Sequence, residues 1–245
     1  MDTQIKTAQY KEVYVWETPV RFYHWINAIS ILILSVTGYL IGNPPAITQA
    51  VEASYSYWFG IVRFIHFATA YVFFFNFLMR IYWGFVGNQY ARWTNFIPFK
   101  KAQWKEVVDV LRVDIVQLQE KPLVKLGHNA LASITYFLTF IAFVLMSLTG
   151  FGIYSAMSDS WFPQQFTWFV HLLGGDLPAR QLHHILMWFF IVFAIIHIYL
   201  TIYHDYVERH GVLSSMIGGW KFAKDEDKKA DQDSDTIENA EEKTI

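Results

Sequence analysis

Apolar positions are gathered into four long runs, about residues 22–41, 57–86, 130–154 and 182–203, with polar and aromatic stretches between them. A hydrocarbon core needs roughly 20 mostly apolar residues to cross it as a helix, so each run predicts a membrane span. The second and third runs exceed that length, which predicts tilt or extension past the lipid. The link between them carries Arg92, Lys100, Lys101, Lys105, Arg112, Lys121 and Lys125, with Arg80 at its edge, whereas residues 42–56 and 155–179 hold no Lys or Arg. Basic loops stay in the cytoplasm. The expected fold is therefore an all-α membrane protein, a four-transmembrane-helix bundle with N and C termini cytoplasmic.

Smaller elements fall between and around these spans. Trp104, Val107, Val108, Leu111, Ile115 and Leu118 repeat at helical spacing, so residues 103–119 predict an amphipathic helix on the cytoplasmic surface. The link 161–173 is aromatic-rich and suits the opposite interface or a partner. After Trp220 apolar groups almost vanish, and residues 221–245 are expected to be a disordered tail. The organisation expected is thus a cytoplasmic N-terminal segment 1–20, a transmembrane domain 21–205 and a cytoplasmic tail 206–245.

Composition sharpens this picture. Charged residues make up 16% of the 245, against roughly 25% in soluble chains, so the bilayer is the expected surrounding and no nucleic acid is expected as a partner. Cysteine is absent, which excludes disulfides, cysteine-held iron–sulfur clusters and thioether-linked haem in this chain. Residues 1–20 lack the apolar centre of a cleavable signal peptide.

Histidine supplies the candidate chemistry, because ionisable groups within a span are expensive and mark functional sites. His183 and His197 lie 14 residues apart on the fourth run. That spacing puts them roughly 40° apart around a helix and about 21 Å apart along it, so one metal cannot reach both. Alternating orientation places His24 near the inner face, His66 and His183 near the outer face, and His197 deeper toward the inside. Two pairs result, His66 with His183 outside and His24 with His197 inside. Two imidazoles from different helices at one level suit an electron-transfer haem with no open position. Zinc wants three or four ligands close together, which two separated pairs do not supply.

Arginine adds a second pattern. Arg21, Arg63 and Arg180 each stand three residues before His24, His66 and His183, on the same helix face and one turn nearer water, where each can pair with a haem propionate. Haem b, two per chain, is the cofactor that needs no covalent link. Gly38, Gly42, Gly150 and Gly152 would let flat rings approach the backbone. His184 points about 100° away from its neighbour and reads as a supporting or interface group, although a register shift would exchange it with His183. His204 and His210 read as solvated, and His171 as solvated or facing a partner. Gly127-His128-Asn129 opens the third run near the inner pair. His128 and Asn129 suit a quinone carbonyl and its proton, and Asn129 equally suits a helix cap.

The order of several short motifs resembles the cytochrome b subunit of membrane-bound nickel–iron uptake hydrogenases. The matching stretches are Pro19-Val-Arg-Phe-Tyr-His24-Trp25, Thr37-Gly-Tyr, Arg63-Phe-Ile-His66-Phe67, Met79-Arg-Ile-Tyr-Trp-Gly-Phe-Val-Gly-Asn88, Gly127-His-Asn129, Thr149-Gly-Phe and His183-His-Ile-Leu-Met-Trp188 with His197. They cover about residues 13–220, and the run ending at Asn88 discriminates most, since generic haem binding does not require it. Ala130 and Ser133 stand where relatives are expected to carry proline and glutamine.

The resemblance implies haem ligands at His24, His66, His183 and His197. It further implies a small subunit with iron–sulfur clusters and a large subunit with the nickel–iron site, both periplasmic, and quinone or menaquinone as acceptor near the cytoplasmic face of the bacterial inner membrane. Such a subunit transfers electrons and does not itself act on hydrogen. An electron carried inward against the membrane potential stores about 2.3 kcal/mol per 100 mV. Two alternatives carry different expectations. The cytochrome b subunit of a formate dehydrogenase or related respiratory oxidoreductase would keep the haems and change the donor. A membrane anchor or transporter without haem would leave four aligned histidines unexplained.

Overall fold

The computed structural model describes residues 10–45, 57–93, 130–208 and 211–224. The expected surface helix at 103–119, the His128–Asn129 pair and the tail beyond 224 lie outside these residues. The elements in chain order are β1 (Tyr10–Tyr14), α1 (Thr18–Gly42), α2 (Trp58–Val86), α3 (Ala130–Ser155), α4 (Trp161–Gln164), α5 (Thr167–Leu172), α6 (Asp176–Glu208), α7 (Val212–Gly218) and β2 (Trp220–Lys224). Among the described residues α1, α2, α3 and α6 are long and apolar enough to cross a membrane.

Two of these helices begin before their apolar runs, for a local reason. Pro19 and Pro178 sit in the first turns of α1 and α6, where a missing N–H has no partner to lose and the fixed φ suits a helix. In front of α6, Gly174 and Gly175 adopt φ of 91° and 120°, values that glycine reaches without a Cβ penalty. Asp176 adds a negative group to the first turn of α6, where the helix dipole favours it.

The chain divides into two compact units. One comprises residues 22–82 and 138–199 and holds both histidine pairs. Its core is aromatic: Phe73 and Phe77 of α2 pack with Ala142 and Phe143 of α3 and with Leu186 and Phe190 of α6. Phe77 stacks on Phe143 at 5.4 Å, and Phe143 meets Phe190 at 5.1 Å. Apolar side chains also cover the outside, Phe64 being 72% exposed and Leu32 67%. A surface of that kind needs lipid around it. Several polar groups inside the unit are tied to backbone or to each other. Asn76 donates from Nδ2 to the Tyr23 carbonyl at 3.0 Å and to Asn27 Oδ1 at 2.8 Å, joining α2 to α1. Arg80 is 2% exposed, with its guanidinium 5.9 Å from the centre of the Tyr23 ring.

The other unit takes in the residues up to 21, from 83 to 137 and from 200 onward. Here β1 and β2 pair antiparallel, Tyr10 opposite Lys224 and Tyr14 opposite Trp220. The second strand runs four residues into the stretch expected to be disordered, because β1 offers an edge and Tyr14 packs on Trp220 at 5.0 Å. Gly219, at φ 90°, accepts from the N–H groups of Val15 and Trp16. The motif 80–88 acquires a physical role in this unit. Glu17 Oε2 accepts from Trp83 Nε1 and from the Asn88 N–H, both at 2.9 Å, and Asn88 Nδ2 donates to the Val15 carbonyl at 2.9 Å. Trp93 lies on Gly84 so closely that a Cβ there would collide with its indole, and a Cβ at Gly87 would meet the Trp83 carbonyl at 2.7 Å. The run therefore clamps the approach to α1.

Candidate functional site

In the unit that holds the histidines, α1, α2, α3 and α6 line a half-open cavity of about 730 Å³, within the roughly 300–1,000 Å³ usual for cofactor clefts. His66 and His183 both line it, as do Arg63 and Arg180. Each imidazole leans on a glycine of the facing helix. A Cβ at Gly38 would lie 3.3 Å from His66 Cε1, and one at Gly150 would lie 3.1 Å from His183 Cε1. Gly42 also lines the cavity, beside His184. Gly152 does not: a Cβ there would meet Val170 and the Phe166 carbonyl, so this glycine seats the short helix α5 instead.

The residue before each of those two glycines does something the sequence reading missed. Thr37 Oγ1 lies 2.9 Å from His66 Nδ1, and Thr149 Oγ1 lies 2.9 Å from His183 Nδ1. Each hydroxyl has one proton. Thr37 directs it to the Ile33 carbonyl at 2.7 Å, and Thr149 to the Leu145 carbonyl at 2.7 Å. The oxygen facing each imidazole must then accept, so Nδ1 of both histidines carries the hydrogen. Nε2 of both keeps its lone pair, which is the form a metal ligand requires. Two neutral imidazoles with fixed tautomers, on two helices around one apolar cavity, fit a bis-histidine haem. The repeated dipeptide, Thr37-Gly38 on α1 and Thr149-Gly150 on α3, was the available signal: hydroxyl for the ring nitrogen, no side chain under the ring.

The second pair converges as well. The His24 and His197 rings have centres 6.2 Å apart. Imidazoles on opposite sides of one metal, each bonded at about 2 Å, have centres roughly 6 Å apart, so this separation also fits an iron between them. His24 packs edge-on against Trp25 at 5.3 Å, and His197 stacks on Phe193 at 5.5 Å. Among the described residues Nδ1 of His24 is buried without a hydrogen-bond partner, a contrast with His66 and His183.

The three arginines separate. Arg63 lies over the Phe59 ring at 4.7 Å, and Arg180 donates from Nε to Asp176 Oδ2 at 2.5 Å; both remain at the cavity wall. Arg21 makes contacts away from that cavity. Its Nη1 donates to the Ile217 carbonyl and its Nη2 to Thr18 Oγ1 at 3.0 Å, because the last turn of α7 presents an unpaired carbonyl that attracts a cation. His184 accepts from Trp188 Nε1 at 3.1 Å and faces Gly42. Both His183 and His184 line the cavity, and His183 is the one that holds the Thr149 contact. His171 is exposed at the end of α5.

The family profile described as prokaryotic cytochrome b561 matches residues 15–219. A protein of Azotobacter vinelandii named probable Ni/Fe-hydrogenase B-type cytochrome subunit is 41% identical over 229 residues, covering 92% of this chain and 95% of that protein. Its namesake in Cupriavidus necator is 42% identical over 219 residues, 88% of this chain and 89% of the other. The probable Ni/Fe-hydrogenase 1 B-type cytochrome subunit of Escherichia coli is 35% identical over 214 residues, 85% and 90% of the two chains. The chain accordingly belongs to the prokaryotic cytochrome b561 family, as a multi-pass b-type cytochrome of the bacterial inner membrane.

Proposed function

We propose that the chain is the dihaem membrane subunit of a nickel–iron hydrogenase. It anchors the small and large hydrogenase subunits at the periplasmic face and serves the quinone pool near the cytoplasmic face. The observation that carries this reading is the Thr-held pair His66–His183 around one cavity, with His24 and His197 converging about four turns away on α6. The relatives' names support the hydrogenase partnership, and the absence of cysteine supports an iron held by imidazole alone.

When bound, haem b supplies a one-electron carrier at each level, linking hydrogen oxidation outside to quinone reduction inside. His66 and His183 hold the periplasmic group, and His24 and His197 hold the cytoplasmic one. Arg63 and Arg180, at the cavity wall, neutralise the propionates of the first, while Arg21 secures the start of α1. Phe73, Met187 and Phe190 give the first site apolar walls. His128 and Asn129 bind a quinone carbonyl and deliver the proton that its reduction consumes. Both termini lie in the cytoplasm, and the basic link between α2 and α3 lies there with them.

The test is a reduced-minus-oxidised spectrum of the purified chain with a haem-to-protein ratio. Two b-type haems per chain are expected, and one in His66→Ala or His183→Ala. Fewer than two in the wild type, or unchanged haem in both variants, overturns the reading. Co-purification of the nickel–iron and iron–sulfur subunits tests the partnership.

A further inference from the structure

Resting on that dihaem reading, the two threonines bear on how the sites differ. Thr37 and Thr149 each accept from the Nδ1–H of a ligand imidazole at 2.9 Å while their own protons are committed to Ile33 and Leu145. Neither hydroxyl can reverse its role without giving up a 2.7 Å bond inside its own helix. Thr149 is fully buried and Thr37 nearly so, so water does not compete for either contact. An imidazole that donates from Nδ1 is the more basic at Nε2, and stronger donation to iron favours the ferric state and lowers the reduction potential.

At the other level that contact is missing: among the described residues Nδ1 of His24 makes no such bond, so this ligand receives no push.

We propose that Thr37 and Thr149 are positioning residues that hold the His66–His183 haem at a lower reduction potential than the His24–His197 haem. One electron leaves the first iron and one arrives at the second, with no bond made or broken. The step runs downhill in potential from the His66 level to the His24 level.

Potentiometric titration of the full chain within its membrane complex, followed at the b-type absorbance band, tests this. The wild type gives two one-electron waves, and His66→Ala removes the lower one. Thr37→Val with Thr149→Val raises the lower wave and leaves the upper in place. The expected displacement is a tenfold change in the one-electron equilibrium between the haems, about 59 mV. Thr37→Ser and Thr149→Ser, which keep the hydroxyl, retain the wild-type value. The proposal is overturned if the lower wave stays put in the valine variants, if the upper wave moves instead, or if His66→Ala removes the upper wave. That last measurement decides the ordering even where the valine variants lose haem. A wild type without two b-type waves overturns the dihaem reading itself, whereas two waves indifferent to the threonines overturn only this one.

Discussion

Alanine at Gly150 is the smallest change that reaches the site. Its Cβ would lie 3.1 Å from His183 Cε1 and 3.7 Å from Nδ1. Carbon atoms in contact settle at about 3.5–4.0 Å, so the imidazole must retreat by roughly half an ångström. It cannot retreat freely, because Nδ1 is held at 2.9 Å by Thr149, whose hydroxyl is tied to the Leu145 carbonyl. Overpacking by one methyl group in a close-fitted interior costs about 1–3 kcal/mol. Since about 1.4 kcal/mol is a factor of ten, the affinity of the His66–His183 site for haem should fall roughly five- to a hundredfold. Gly60, in the first turn of the same unit's α2, supplies the control: a Cβ there meets nothing within 4 Å, and alanine favours the helix by up to ~1 kcal/mol. Haem per chain, measured on purified protein after extended washing, should drop toward one in Gly150→Ala and stay at two in Gly60→Ala. Full haem content with an unaltered absorption band in Gly150→Ala, or equal loss in both variants, would refute the argument that glycine is there to seat the ring.

Three further outcomes follow from other contacts. Glu17→Gln removes the charge that Trp83 and Asn88 hold at 2.9 Å; hydrogen bonds to charged groups contribute about 1.5–3 kcal/mol, so thermal unfolding in detergent should begin at a distinctly lower temperature, and an unchanged midpoint would remove the clamp from consideration. Gly219→Ala puts a Cβ at φ 90°, 2.6 Å from the Tyr14 ring and 2.8 Å from the Trp16 carbonyl, a strain of about 1–3 kcal/mol. Limited proteolysis should then cut the N-terminal strand sooner than in wild type, and equal rates would count against it. Asn76→Leu takes away the donor to Asn27 Oδ1 and the Tyr23 carbonyl; side-chain bonds within membranes contribute about 0.6–2 kcal/mol, and denaturation that begins as late as in wild type would show the pair to be dispensable.

Much of the architecture is legible because a bilayer leaves the chain few choices. A span must satisfy its backbone internally, so four apolar runs predict four helices, and histidines inside them draw attention by their cost. The helix starts were less visible. α1 and α6 begin at Thr18 and Asp176, ahead of the apolar runs, because Pro19 and Pro178 set the first turn whatever its hydropathy. The β1–β2 pair escaped for another reason: two five-residue strands some 200 positions apart carry no periodicity that links them. The run 80–88 stood out as a motif without a physical cause, since its partner Glu17 lies more than sixty residues away.

The part of the site that escaped is the more instructive. A threonine in a membrane helix ordinarily returns its proton to the carbonyl four residues back, so Thr37 and Thr149 read as unremarkable helix residues. That same habit makes them useful here. Once the proton is committed to the backbone, the hydroxyl oxygen has only acceptance left to offer, and it imposes one tautomer on whichever imidazole faces it. The helical hydrogen bond and the ligand hydrogen bond are thus a single arrangement, built twice: α1 with α2 at His66, and α3 with α6 at His183. A serine would keep the chemistry and lose the methyl group that restricts χ1. Valine would keep the shape and lose the acceptor. Threonine before glycine supplies both the fixed oxygen and the bare backbone on which the ring rests, and this pairing, more than either residue alone, sets the two proposed ligands apart from a histidine that merely packs in the core.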